Sequence, residues 1–422
     1  MKQSPLLVIF MTVFIDLVGF GIVIPVLPFY AEGTVFNATP RTVAILFASY
    51  SVMQLIFSPI LGGLSDKYGR RPVLLASIVG TGIGFLILGF ATTVWMLFVG
   101  RILDGITGGN ISTAQAYIAD ITTTEDRAKG MGLIGAAFGL GFIFGPAIGG
   151  ILSRWGIHVP FLFAASLCFA NAVLLYFTLP ETVTADHPAR NSAARGRGLS
   201  QLLHSLTQSR LRFVLMIYFF FVVAFSIMTT SFSLYTMFRF GYDAQTNGWL
   251  FAYVGVIAVV IQGGLIGKLV RRFGELPLVI LGALCFAASL FAVPFVGPEA
   301  GGLVGLLIGG GVFSLGNSLA TPALNSLASK SASAEDQGTI LGVTQSVASL
   351  ARAVGPSIAA LLIHSAVAHM GRDGQVHYMS DASLRVTFWT GAIIMLVAGV
   401  LAYHLARTRT AEARRSGVVE AA

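Results

Sequence analysis

Apolar runs long enough to cross a bilayer recur along almost the whole chain. The hydrocarbon core is roughly 30 Å thick and takes about 20 helical residues to span. Such runs occupy positions 6–29, 43–64, 73–92, 95–118, 130–152 and 160–179, and again 213–236, 246–267, 276–297, 301–327, 338–364 and 384–405. The pattern predicts an all-α membrane protein with twelve transmembrane helices. Between the sixth and seventh runs lies one long polar interval, carrying Arg190, Arg195, Arg197, Arg210 and Arg212 among Ser, Gly and His residues. The chain therefore divides into a first six-helix bundle (1–180), a linker (181–212), a second six-helix bundle (213–406) and a tail (407–422). The first run is too long for a secretory signal and holds Asp16 and Pro25, so it predicts a retained span.

The two halves echo each other. Gly62-Gly63-Leu64-Ser65-Asp66-Lys67-Tyr68-Gly69-Arg70-Arg71 follows the second span, and Gly263-Gly264-Leu265-Ile266-Gly267-Lys268-Leu269-Val270-Arg271-Arg272-Phe273-Gly274 follows the eighth. Gly145-Pro146 in span five is matched by Gly355-Pro356 in span eleven. Parallel repeats of this kind predict two pseudo-symmetric bundles around a central cavity, an organisation that favours a transporter over a receptor or membrane enzyme.

Composition agrees: 55% of residues are hydrophobic and 10% charged, with a mean hydropathy of +0.82, whereas soluble domains carry about 25% charged residues. The 49 glycines suit helices that approach closely through small side chains. The net charge of +8 is explained by placement. Lys67, Arg70, Arg71, Arg127, Lys129, the linker arginines, Lys268, Arg271, Arg272, Lys330 and the tail arginines fall in intervals on one side, which the positive-inside rule makes cytoplasmic. Both termini are then cytoplasmic, and no nucleic-acid partner is implied. Cys168 and Cys285 lie inside apolar runs and support neither a disulfide framework nor a metal centre. His364, His369 and His377, near the outer end of span eleven, read as solvated loop side chains and not as metal ligands. No Gly-x-x-x-x-Gly-Lys-Ser/Thr loop is present for nucleotide-driven transport, and no cofactor is implied.

Ionisable residues within spans are costly, on the order of 2.5–3.5 kcal/mol by insertion scales, and face a cavity or a partner. Asp16 falls near the middle of span one. Burial disfavours a carboxylate's charged form and a nearby guanidinium favours it, so rearrangement around Asp16 could load and release a proton. Arg101 and Asp104 are three apart on one helix face and can pair; Asp104 is either a second proton site or the structural partner of Arg101. Arg352, in span eleven, has no acidic residue among the spans of its own half. It could meet substrate, reach across to Asp16 or Asp104, or bond backbone carbonyls freed by Gly355-Pro356. Polar and aromatic side chains that could line the substrate route are Tyr50, Gln54, Phe138, Phe142, Tyr218, Phe225, Tyr235, Tyr253, Gln262, Asn317 and Gln345. An aromatic cavity with few charges suits a bulky amphipathic compound.

Gly62-x-x-x-Asp66-Lys67-x-Gly69-Arg70-Arg71 and Arg101-x-x-Asp104-Gly105-x-x-Gly108-Gly109 resemble the loop and span-four signatures of the major facilitator superfamily. Gly135, Gly139, Gly141, Gly145-Pro146, Gly149 and Gly150 resemble the span-five motif of its exporters. The string Asp16-Leu17-Val18-Gly19-Phe20-Gly21-Ile22-Val23-Ile24-Pro25-Val26-Leu27-Pro28, with Tyr117-Ile118-Ala119-Asp120-Ile121-Thr122, is similar to the twelve-helix drug:proton antiporters, especially the tetracycline-efflux group. The resemblance covers essentially the whole chain. It implies proton-coupled export of small amphipathic compounds by a monomer in the cytoplasmic membrane, proton coupling between Asp16 and Arg101, and a gate formed by Gly62, Asp66, Gly69, Arg70, Arg71, Asp120 and Arg127, with rocking about Gly145 and Pro146. One departure stands out: those pumps carry a carboxylate in span nine, yet residues 276–297 contain no charged side chain and no histidine. Proton-coupled uptake and a non-transporting sensor on the same scaffold remain the alternatives.

Overall fold

The computed structural model describes residues 5–33, 35–122, 127–183, 209–330 and 337–415. Fourteen α-helices among them make twelve crossings. In the first half these are α1 (Pro5–Glu32), α2 (Pro40–Tyr68), α3 (Arg70–Gly89), the consecutive pair α4 (Val94–Thr107) and α5 (Asn110–Ile121), α6 (Arg127–Leu152) and α7 (Val159–Thr178). The second half has α8 (Ser209–Phe240), α9 (Ala244–Val260) running through a π-helical turn at Ile261–Leu265 into α10 (Ile266–Phe273), α11 (Glu275–Ala292), α12 (Gly302–Lys330), α13 (Gln337–Leu362) and α14 (Asp381–Arg415). Nine helical spans among the described residues are long and apolar enough to cross a membrane individually; the α4–α5 pair, α6 and α13 complete the twelve. Most helices overrun their apolar runs: α8 begins inside the stretch read as linker, and α14 continues to Arg415, into the stretch read as tail.

Local chemistry sets the helix ends. Thr39 and Asp243 start α2 and α9 by accepting hydrogen bonds from the Thr42 and Thr246 amides, at 3.2 and 2.8 Å. The α2–α3 corner turns at Gly69 (φ 108°), a conformation that side-chain-bearing residues avoid; a Cβ there would also strike the Glu181 carboxylate. Gly274 (φ 76°) makes the matching corner between α10 and α11.

Packing follows the repeat. In the first half α1 packs on α6 and α3 on α7; in the second, α8 packs on α13 and α11 on α14. The halves join through α2 against α13 and α6 against α9, a pseudo-symmetric pair of contacts. These joins are tight at the end bearing the short β-hairpin His369–Met370/Val376–His377, where Ala44 is buried against Ala359 and Ala360. There the backbones of Gly150 and Gly248 also meet: a Cβ on Gly150 would lie 2.6 Å from the Gly248 Cα. At the opposite end, where the Asp66–Arg71 loop lies, Gly263, Gly264 and Gly267 face open space, and Leu265 and Phe273 are exposed. Among the described residues, the halves pack closely at the hairpin end, while at the loop end these α9–α10 glycines have open space around them.

Candidate functional site

The charged residues converge on the middle of the first bundle. Arg101 on α4 is fully buried, and its Nη1 donates to Asp104 Oδ2 at 2.8 Å. Its guanidinium lies over the Tyr50 ring, 4.2 Å from the centroid, a contact worth about 2 kcal/mol or more when desolvated. Arg101 Nε and Nη2 have no hydrogen-bond partner. Asp16 accepts from Asn110 Nδ2 at 3.4 Å, and the Asn110 Oδ1 is buried without a partner. In this arrangement Arg101 pairs with Asp104 and Asp16 is held by Asn110. Tyr50 lies within electrostatic reach of Asp16, Asp104, Arg101 and Arg352, so it sits at the hub of all four charges.

Asn110 owes its position to the interruption of span four at Gly108-Gly109. Gln54 holds that interruption: its Nε2 donates to the Gly108 carbonyl and the Tyr50 hydroxyl, both at 2.9 Å. Gln54 is buried and its amide protons are committed to these bonds. Arg352 Nη2 donates to Ser349 Oγ at 3.1 Å, and Tyr218 and Tyr50 lie within its electrostatic reach.

From this hub a line of rings crosses between the halves. Tyr50 contacts Phe20 (5.5 Å between centroids), Phe20 contacts Phe142 (5.7 Å), and Phe142 contacts Phe225 (5.6 Å). Phe225 meets Phe313 (6.1 Å), which stands edge-on to Phe286 at 4.5 Å. All are within the range of favourable aromatic pairing. Phe20, Phe286 and Phe313 were not singled out by sequence, because an aromatic residue in an apolar span reads the same whether it faces lipid, a neighbour or a cavity. Asn110 was missed too; the signal available was an amide directly after a glycine pair in an apolar run.

Other candidates fall elsewhere. Tyr235 is buried, with its hydroxyl donating to the carbonyls of Val293 (2.8 Å) and Val296. Tyr253 lines an apolar cleft inside the second bundle with Met228, Phe232, Val254 and Phe313. Gln262, in the π-turn, donates to Ser318 Oγ at 3.4 Å; Asn317 accepts from Thr321 at 3.1 Å; Gln345 is half-buried. The side chains of Phe138 and Arg127 lie outside the described residues. Gly145 crosses α1 at Gly21, where a Cβ would meet the Gly21 Cα at 2.6 Å, and Pro146 packs against the same glycine.

At the loop end, buried Arg70 pairs with Asp66 (2.5 Å) and Asp120 (3.1 Å). Glu181, just after α7, accepts from the backbone amides of Arg70 and Arg71 at 2.9 and 3.1 Å, and Thr182 donates to Asp120 at 3.0 Å. Arg71 reaches the Tyr176 carbonyl, and Gly62 lies 3.7 Å, measured from a would-be Cβ, from Ser112 Oγ. All these bonds stay within the first half. The second half has a counterpart of opposite polarity: Glu275 at the start of α11 pairs with Lys330 at the end of α12, where the first half has Arg70 and Asp120.

A buried charge hub, an aromatic line between two pseudo-symmetric bundles, and a close join of the halves at the hairpin end are parts of an alternating-access transporter. Residues 9–356 match the family model for the Major Facilitator Superfamily. The chain belongs to the major facilitator superfamily. It is 30% identical over 417 residues to the tetracycline resistance protein, class H, of Pasteurella multocida, covering 98% of this chain and 99% of that protein. The class B protein of Escherichia coli is 33% identical over 82% of this chain and 86% of its own length. The crystal structure of the human organic anion transporter MFSD10 superposes with a TM-score of 0.66 over 95% of this chain and 100% of its own, at 24% identity, a likeness of fold. This member of the superfamily is therefore a transporter and not an enzyme, embedded in the membrane with a small-molecule substrate and protons as its partners.

Proposed function

We propose that the protein exports small amphipathic, drug-like compounds in exchange for protons, as the tetracycline resistance proteins it is similar to suggest by name. One observation carries this reading: the ionisable hub of Asp16, Arg101, Asp104 and Tyr50, with Asn110 bonded to Asp16, adjoins the ring line that bridges the halves. A proton arriving at Asp16 or Asp104 changes the charge against which Arg101 and Tyr50 are arranged, beside rings suited to an amphipathic substrate. Asp16 is the proton carrier, Asp104 holds Arg101, and Tyr50, Phe142, Phe225, Tyr218 and Arg352 contact substrate.

In this reading the basic loops favour a cytoplasmic location for the Asp66–Arg71 end and both termini, so the loop end faces inward. The network of Asp66, Arg70, Asp120 and Glu181 then closes that side in the other half of the cycle, while Gly145 and Pro146 allow α6 to shift on α1. The monomer, divided into bundles at 1–180 and 213–406, is the working unit. In reconstituted vesicles, an imposed pH gradient is expected to drive a tetracycline or a cationic dye against the direction of proton flow. Co-directional movement would make the protein a symporter, and no gradient-dependent movement across a broad compound panel would leave a sensor.

A further inference from the structure

At the hairpin end, His377 is buried and has a carboxylate against each ring nitrogen. Its Nδ1 is 2.7 Å from Glu32 Oε2, at the end of α1, and its Nε2 is 2.9 and 3.0 Å from the Asp373 oxygens. The Glu32 and His377 side chains are each 3% exposed, and Glu32 Oε1 has no hydrogen-bond partner. Far from being a solvated loop side chain, His377 ties the first half to the hairpin of the second. Phe238 of α8 stands edge-on to the imidazole at 5.8 Å. The neighbouring charges are engaged elsewhere: Arg372 with Glu299, Arg239 with Asp381. His369, paired across the hairpin, lies 3.4 Å from the Ser365 hydroxyl.

Ionised carboxylates only accept hydrogen bonds and a neutral imidazole has a single N–H, so with Glu32 and Asp373 both ionised the two contacts are satisfied together only when both nitrogens carry hydrogen. We infer that His377 is a second proton-binding site, distinct from the central hub, whose protonation draws Glu32 and Asp373 together and closes the hairpin end. Opening that end removes Glu32 from the ring and leaves the imidazole with Asp373 alone, so its proton is held less tightly. In the closed state burial works against the charge, but the hydrogen bonds and charges of Glu32 and Asp373 outweigh it and raise the imidazole pKa. Closure is therefore linked to proton uptake. The contribution is present at low pH and is lost as pH rises through the raised value of the closed state.

With the hairpin end outside, as proposed above, an external proton would favour the step in which an exporter that has released its substrate closes outward and turns back. The proton returns to the same side on reopening, so this site tunes the closing step and does not set the transport stoichiometry. The sidedness rests on the proposed orientation; the closing itself does not.

The test uses the full-length protein in detergent with Cys168 and Cys285 replaced by Ser. Spin labels go on exposed Val35 and Val367, on the two sides of the hairpin end, and their distance distribution is read by electron double resonance from about pH 5.5 to about pH 9. The open-to-closed ratio is expected to rise by up to about tenfold per pH unit between the open-state and closed-state values of the imidazole. His377→Gln should flatten that dependence, and His377→Lys, with a fixed charge, should hold the closed distance across the range. Glu32→Gln, which keeps the imidazole but weakens its acceptor, should favour the open distance at all pH values. An unchanged pH profile in His377→Gln, or one in His377→Lys that matches the unsubstituted protein, overturns the inference. Neither outcome depends on whether the protein exports or imports.

Discussion

The Arg101–Asp104 pair is worth more as a pair than either member alone. Breaking a buried ion pair leaves the other charge uncompensated, at a cost of about 3–5 kcal/mol, whereas replacing both members with apolar residues of similar size is often near neutral. Arg101→Leu and Asp104→Leu are each expected to lower the melting temperature in detergent strongly, and the double variant to recover much of the loss. Additive losses would show that the two act independently. Asn110 is the more delicate neighbour. Asn110→Ala should leave stability nearly unchanged while shifting the pH profile of transport, because it removes the hydrogen bond to Asp16 without adding charge. Arg101 and Asp104 could be read from the sequence as a pair, since three-residue spacing puts them on one helix face. That Asn110, and not Arg101, would hold Asp16 could not, because the choice depends on how the span-four interruption meets α1.

At the scale of elements, hydropathy made the twelve spans legible because lipid demands a continuous apolar run from every helix. It did not reveal the interruption at Gly108-Gly109 or the π-turn at Ile261–Leu265, whose glycines read the same as the many glycines of uninterrupted spans. The joins between helices make sharper predictions. Gly248→Val would place side-chain atoms against the backbone of Gly150 and the Pro146 carbonyl, so it should disfavour the hairpin-closed state, seen as faster thiol labelling there and slower transport. The equivalent change at Gly263, which faces open space, should leave that labelling unaltered. Glu181 is a cap that no local pattern announces, because its partners are backbone amides more than a hundred residues away. Glu181→Ala exposes two amides at the α3 N-terminus and should cost about 1 kcal/mol, measured as a lowered unfolding midpoint.

For the whole molecule, the repeat in sequence carries over into packing: α2 on α13 mirrors α9 on α6, and each half keeps an ion pair at its loop end with the signs exchanged. Two bundles that meet through two such symmetric joins can rock with little internal change, which lets a local charge event select which end is open. We propose that the protonation state of Asp16 makes that selection. Its most direct measurement is substrate-dependent proton movement in vesicles reconstituted with Asp16→Asn. Substrate is expected still to bind and to exchange across the membrane at equilibrium, while a pH gradient no longer drives its accumulation. Gradient-driven accumulation at the unsubstituted rate in Asp16→Asn would contradict it.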